Sequence, residues 1–417
     1  MVSVATGASW AIAAASTAAV ITRPLRWPEW IWAVAGAALL VVLGLMPLGE
    51  AGGAVEKGLD VYLFLTGMML LSETAREHGA FDWIAATAVN AAHGSRPKLF
   101  LLVYATGVVV TTFMSNDATA VVLTPAVFAA AKKAKADPLP LLFACALIAN
   151  AASFVLPISN PANLVLYGGQ MPPLGAWLRS FALPSIASIA VTFVVLRWLE
   201  RQRIEGGCAR DVARDALTMP GKLAILGIVV TAALLLVVSA LDRELGMPTA
   251  IAGIATALVV SAAAKASPLR LARQVSWGVL PLVAGLFVLV EALDRTGVIA
   301  QVAAWLRAAS ADPVRAAAAS GTILAFVSNL MNNLPAGLVA ATAIQQAHPP
   351  QIVTDALLIG VDLGPNLSVT GSLATILWLQ VIRREGEDVS FTAFLKIGAV
   401  AMPLALLAAL GARLLLG

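Results

Sequence analysis

The sequence predicts an all-α polytopic membrane protein, with about ten spanning helices in two inverted repeats, each carrying a re-entrant hairpin and a broken helix. Three observations lead there. Apolar residues make up 60% of the 417-residue chain, charged residues 12%, and mean hydropathy is +0.88; no soluble domain needs so much apolar surface. Apolar runs of bilayer-spanning length recur along the whole chain. Three landmarks also occur twice, in the same order and at similar offsets.

The first landmark is Gly67, Glu73 and Gly79, repeated 218 residues later as Gly285, Glu291 and Gly297. In the second, Ser-Asn-Asp-Ala at 115–118 matches Met-Asn-Asn-Leu at 331–334, an offset of 216. The third pairs Asn160-Pro161-Ala162-Asn163 with Gly364-Pro365-Asn366. The polar stretch from Arg197 to Lys222 falls between the copies. It divides the chain into a first repeat, 1–200, a cytoplasmic linker, 201–221, and a second repeat, 222–417.

Basic loops set the orientation. They lie at Arg23–Arg26, Arg96–Lys98, Lys132–Lys135, Arg197–Lys222, Lys265–Arg273 and Arg383–Arg384, and the positive-inside tendency puts them in the cytoplasm. Spans are then expected near 4–22, 29–48, 59–75, 139–167 and 176–197, and near 222–241, 246–264, 275–293, 352–382 and 390–416. The first run precedes its positive charge (Arg23, Arg26) and so reads as a span, not as a cleaved signal. Lys98 and Lys132 both belong inside, so 99–131 must enter and leave by one face, as a re-entrant hairpin with Ser115-Asn116-Asp117 at its tip. Segment 315–347 would be its mirror image from outside, with Asn332-Asn333 at the tip; Arg295, Arg307 and Arg315 then fall outside. Five crossings per half make the halves inverted, the plan of many secondary transporters. Short amphipathic helices at 80–92 and 298–310 would lie along the interfaces.

Spans 139–167 and 352–382 are long for one crossing, and each is interrupted by Pro, Gly and Asn. Such irregular backbone persists in a bilayer only where protein or a water-filled cavity surrounds it. Two hairpin tips and two broken helices should therefore converge on a solute site. Asp117 is the only charged side chain between Lys98 and Lys132. It could cap the second arm of its hairpin, or, as a lone intramembrane acid, carry a proton or meet a cation. Asp362, which leads into the second break, is the second candidate for proton coupling. Glu73 and Glu291 sit near helix ends, where solvation is the simpler role. Apart from Arg315 at its edge, none of the four elements contains Lys or Arg. Their asparagines are neutral donors and acceptors, and Asp117 would repel an anion, so the expected solute is neutral or cationic.

At these motifs the chain resembles the bacterial arsenite/antimonite permease family of the ion transporter superfamily. The resemblance rests on Asn116-Asp117-Ala118-Thr119-Ala120 with Leu123-Thr124-Pro125, on Met331-Asn332-Asn333-Leu334-Pro335, and on Gly79-Ala80-Phe81-Asp82-Trp83. The strongest stretch is Asp362-Leu363-Gly364-Pro365-Asn366, running through Gly371-Ser372-Leu373-Ala374-Thr375 to Leu377-Trp378-Leu379. Asn366 stands where the family commonly has Lys. The resemblance implies export of trivalent arsenic and antimony hydroxides across the bacterial inner membrane in exchange for protons, with an optional cytoplasmic arsenite-stimulated ATPase as partner. Site residues expected to bind the solute are Ser115, Asn116, Asp117, Ser159, Asn160, Asn163, Asn332, Asn333, Gly364 and Asn366. Asp117 and Asp362 are the proton-coupling candidates. The chain has only two cysteines, which agrees with a solute that must be released, because trivalent arsenic is thiol-seeking.

Other classes are weaker fits. The three His have no metal-ligand spacing, so neither a metal nor another cofactor is expected. The basic residues collect in loops, which argues against a nucleic-acid surface. A sodium/proton antiporter or a dicarboxylate carrier of the same superfamily is the nearest alternative. A channel would pass solute without proton exchange. An intramembrane protease would need paired aspartates, but the Asp117 and Asp362 contexts, SNDA and VDLGP, do not resemble such motifs.

Overall fold

The computed structural model describes residues 4–416, and every regular element among them is helical. The first half runs Val4–Thr22, Glu29–Val42, Leu48–Glu56, Leu59–Glu77, Ala80–Ala92, Arg96–Phe113, Thr124–Lys133, Leu139–Ala151, Pro161–Tyr167 and Leu174–Leu199. The second runs Met219–Ala240, Gly246–Ala263, Pro268–Gln274, Val279–Arg295, Val298–Ala309, Pro313–Met331, Asn333–Ala347, Gln351–Leu363, Leu373–Arg384 and Phe391–Leu415. Long and short helices follow one another in the same order in both. The protein is a polytopic membrane protein of helical type, as composition predicts.

Among the described residues seven helices are long and apolar enough to cross a membrane, or eight if Pro268–Gln274 and Val279–Arg295, bent by 47°, count as one; five of the seven are expected spans, and Arg96–Phe113 and Pro313–Met331 are the first arms of the expected hairpins. The other expected spans have identifiable reasons for falling short. Segments 139–167 and 352–382 are broken at their Pro-Asn and Gly-Pro-Asn motifs. The helix expected to reach 48 stops at Val42, and Gly44 then takes a φ of 69°. Leu59–Glu77 is long enough but holds Asp60, Glu73, Arg76 and Glu77. It is shielded instead, packing most extensively on Gly246–Ala263.

The repeated Gly-x5-Glu-x5-Gly pattern acquires a physical meaning here. Gly67 lies against the backbone of Gly246–Ala263, where a Cβ would strike the Thr249 carbonyl; on Gly285 a Cβ would come within 2.7 Å of the Ala33 backbone. The last glycine of each copy, Gly79 (φ 72°) and Gly297 (φ 81°), ends its helix in the left-handed region with open space around it. The glutamates are at the ends of the bundle, Glu73 paired with Arg76 and Glu291 with Lys57.

Polar contacts sort the loops into two sets. Arg96 donates to the Lys135 carbonyl at 3.3 Å, so the first hairpin begins and ends at one place. Lys132 pairs with Glu387 at 3.0 Å, Arg270 with Glu77 at 3.5 Å, and Arg76 bonds Gln274 at 3.0 Å. These are the basic loops, bound to one another. The other set joins Lys57 to Glu291, Arg295 to Glu50, and Arg307 to the Gln346 carbonyl at the root of the second hairpin. The polar linker is no free tether. Cys208 N–H donates to Gly94 O at 2.9 Å, Ala209 N–H to Ala134 O at 2.7 Å, and Arg96 N–H to Gly206 O at 3.3 Å, stapling 206–209 across both roots of the first hairpin.

One buried ion pair went unrecognised in the sequence. Arg413 Nε donates to Asp355 Oδ2 at 2.8 Å, while Tyr167 OH (2.8 Å) and Gln351 Nε2 (2.7 Å) donate to Asp355 Oδ1. The pair is 6% and 0% exposed, and removing one partner from such a pair strands a charge. Arg413→Met is therefore expected to lower stability by about 3–5 kcal/mol, read as thermal unfolding in detergent. Gly67→Ala should also be costly, about 1–3 kcal/mol of overpacking, whereas Gly79→Ala should cost only about 1–2 kcal/mol of left-handed strain.

Candidate solute site

At the first hairpin tip the backbone leaves helix at Met114 and resumes as a turn of π-helix, Ala118–Leu123. Ser115 and Asn116 do the capping: Ala118 N–H donates to Ser115 Oγ at 3.2 Å, and Asp117 N–H to Asn116 Oδ1 at 2.9 Å. Asp117, for which capping was one expectation, makes no side-chain cap bond. Its carboxylate has no hydrogen-bond partner among the described residues and faces open space. At the second tip Asn332 takes φ 73° and accepts from Leu334 N–H at 3.3 Å, and Asn333 N–H donates to Gly371 O at 2.8 Å.

Each helix break is held by an amide. Asn163 Nδ2 donates to the carbonyls of Ser153 (2.9 Å) and Pro157 (3.2 Å), which the interrupted helix would otherwise leave unpaired, and to that of Leu156 (3.3 Å), which Ser159 N–H also reaches at 3.0 Å. Ser159 Oγ donates to Thr112 O at 3.0 Å and accepts from Leu156 N–H at 3.1 Å, fixing the first break to the hairpin. Asn366 Nδ2 donates to Leu147 O and its Oδ1 accepts from Asn150 Nδ2, both at 2.9 Å. Gly364 permits the second break to lie against Pro313–Met331, where a Cβ would meet Ala325 O and Ser328 Oγ.

Between tips and breaks lies a small chamber of about 20 Å³, lined by Asn116, Asp117, Asn160, Asn333 and Ser372 with Leu65, Pro161, Val279, Leu334, Leu373 and Ala374. Beyond it opens a vestibule of about 450 Å³ that shares Asp117 and includes Ser115, Met68, Met69, Trp30, Glu73, Gln380 and Arg384. Along one wall Leu373, Leu377, Val381 and Arg384 follow a single helix face, about 16 Å from chamber to mouth at helical rise. The mouth lies among the cross-linked basic loops. Asn160 Oδ1 caps its helix through Ala162 N–H at 3.0 Å, and its Nδ2 donates to Asp362 Oδ1 at 2.7 Å. Asp362 is fully buried behind Asn160, with Oδ2 lacking a partner, and does not line the chamber.

The sequence-predicted residues thus divide. Asn116, Asp117, Asn160 and Asn333 meet at the chamber, with Ser115 beside them on the vestibule wall. Ser159, Asn163, Asn332, Gly364 and Asn366 line neither cavity and serve the breaks and tip, and Asp362 stands one residue removed. Asn150 and Asn329 were missed. Asn329 donates to Ala325 O and Gly364 O and accepts from Ser368, tying the second hairpin to the second break. Asn150 is the one amide in the otherwise apolar helix Leu139–Ala151, a signal the sequence did offer. No cluster of three metal-ligating side chains occurs among the described residues.

The division has a measurable consequence. Asn163→Ala leaves buried carbonyls unpaired and should lower stability by about 1–3 kcal/mol. Asn333→Ala removes an amide with no side-chain hydrogen bond of its own and should leave the melting temperature nearly unchanged while impairing transport.

A family model described as citrate transporter matches residues 17–363. Among relatives, the arsenical pump membrane protein of Yersinia enterocolitica is 29% identical over 87% of this chain and 88% of its own length. The protein of the same name from Escherichia coli K12 is 28% identical over 88% and 89%. The crystal structure of the YdaH transporter of Alcanivorax borkumensis, described as having an unusual topology, superposes with a TM-score of 0.58 over 93% of this chain and 96% of that one, at 16% identity. That likeness concerns the fold. The family match covers both hairpins, the first break and the helix that leads into the second: the chain belongs to the citrate transporter family, within the ion transporter superfamily, and is a membrane transporter.

Proposed function

We propose that this protein exports arsenite and antimonite, as neutral trihydroxides, across the bacterial cytoplasmic membrane in exchange for protons. The observation that carries the reading is the chamber itself: neutral amides from Asn116, Asn160 and Asn333, one unpaired carboxylate on Asp117, and no Lys or Arg in its lining. Amides can donate to and accept from hydroxyls without binding too tightly to release. The family model carries citrate in its name, but a tricarboxylate would meet Asp117 with no cation to offset it. The arsenical relatives point the same way.

In this reading Asp117 carries the proton, since its carboxylate alone faces the solute, and Asp362 is second, reached through Asn160. The two halves act as inverted repeats, 1–200 and 222–417, with re-entrant hairpins whose tips approach from opposite faces. The vestibule, opening among the basic loops, then faces the cytoplasm. A cytoplasmic ATPase, if recruited, would meet this face; nothing in the chamber depends on it.

An anion carrier is the second reading. It is favoured by the first residues of two helices, Asn333 and Leu373, which line the chamber and turn N-termini toward it. Everted membrane vesicles with an imposed proton gradient separate the two. Wild type is expected to accumulate arsenite, with no competition from citrate or succinate. Asp117→Asn should lose gradient-driven accumulation, roughly 10²-fold or more, while keeping solute exchange. Normal accumulation in that variant would transfer the proton role to Asp362. Citrate uptake without arsenite uptake would replace the substrate assignment.

A further inference from the structure

Five residues line both cavities and so define the passage between them: Leu65, Asp117, Pro161, Val279 and Leu373. They come from five different elements. Leu65 stands mid-way along Leu59–Glu77, whereas Pro161, Val279 and Leu373 each open a helix. Leu65 and Leu373 are 3% and 8% exposed. Four of the five are apolar, so a solute leaving the 450 Å³ vestibule must cross a ring whose one hydrogen-bonding side chain is the Asp117 carboxylate before it reaches the amides.

We infer that Leu65, Val279 and Leu373 form a dry neck that selects solutes by charge, admitting neutral hydroxylated molecules to the chamber and holding back anions. The physical basis is the cost of stripping water from an ion where nothing replaces it, which makes apolar constrictions dewet and act as filters. A neutral trihydroxide surrenders a few hydrogen bonds in the neck and regains them at Asn116, Asn160 and Asn333. An anion surrenders a hydration shell and is repelled by Asp117 in the same ring. Leu59–Glu77 and Val279–Arg295, which supply Leu65 and Val279, occupy matching places in the two halves, so the neck is set by one helix from each. Arg384 at the vestibule mouth lies about 16 Å from Leu373 along the helix, beyond the screening length of about 8–10 Å in physiological salt, and does not offset the barrier.

The inference rests on the transport reading for its biological meaning, but its test uses no arsenite and can fail independently. In purified protein with Cys145 and Cys208 replaced by alanine, one cysteine is introduced at Asn333, which lines only the chamber, or at Gln380, which lines only the vestibule. Labelling rates are compared for neutral hydroxyethyl and anionic sulfonatoethyl methanethiosulfonate. The anionic-to-neutral ratio at Asn333→Cys is expected to be at least about tenfold lower than at Gln380→Cys. Adding Leu65→Ser with Val279→Ser should bring the two ratios together, whereas Leu65→Met with Val279→Ile should keep them apart. If the serine pair fails to fold, each single serine variant should recover part of the anionic rate. Equal ratios at the two positions in the parent would overturn the neck. So would a difference that survives the serine substitutions and disappears in Asp117→Asn, because the filter would then be carboxylate repulsion.

Discussion

Backbone that leaves a helix inside a membrane must find new partners for the groups it frees, and the rest of this structure depends on how that demand is met. The chain breaks helix at four places around one chamber. At each place a short polar side chain takes over the orphaned groups: Ser115 and Asn116 at one tip, Asn332 at the other, Asn163 at the first break, and Asn329 at the second. Further side-chain bonds then lock the breaks to neighbouring elements. Ser159 holds the first break to the hairpin through Thr112, and the Asn150–Asn366 pair holds the first broken helix to the second.

This arrangement explains why asparagine is so common here and why asparagine alone does not mark a binding residue. An amide that caps a break and an amide that faces a solute look the same in sequence. Asn160 does both, capping Pro161–Tyr167 through Oδ1 while it borders the chamber and binds Asp362 through Nδ2. Its double duty leaves Asp117 as the one acid with an uncommitted carboxylate facing the cavity.

Much of the fold was legible because membrane constraints write themselves into composition. Hydropathy located the helices, the doubled glycine pattern marked the repeat, and Pro-Asn and Gly-Pro-Asn located the breaks. The tips were legible for the same reason, since Ser115-Asn116-Asp117 interrupts an otherwise apolar run. What sequence order could not convey is which side chains share a neighbourhood across two hundred residues. The Asp355–Arg413 pair, the Asn150–Asn366 pair and the staple of 206–209 on the hairpin roots are all long-range. The division of the asparagines into caps and chamber walls likewise depends on a third dimension that spacing does not encode.

Two of those long-range bonds share a geometry. Asn160 meets Asp362 and Tyr167 meets Asp355; in each segment the two residues are seven apart, and Pro161–Tyr167 runs antiparallel to Gln351–Leu363. The bonds are two rungs about 10 Å apart on a pair of helices, two turns along each. Substitution at one rung leaves the other in place. A one-residue insertion or deletion between the rungs turns one against the other by about 100°, so both cannot be kept, and loss of the Asn160 rung strands the buried Asp362 carboxylate. The two bonds therefore constrain the length of these two short segments more than the identity of most residues within them, and a change in chain length is better absorbed by the loops outside the rungs.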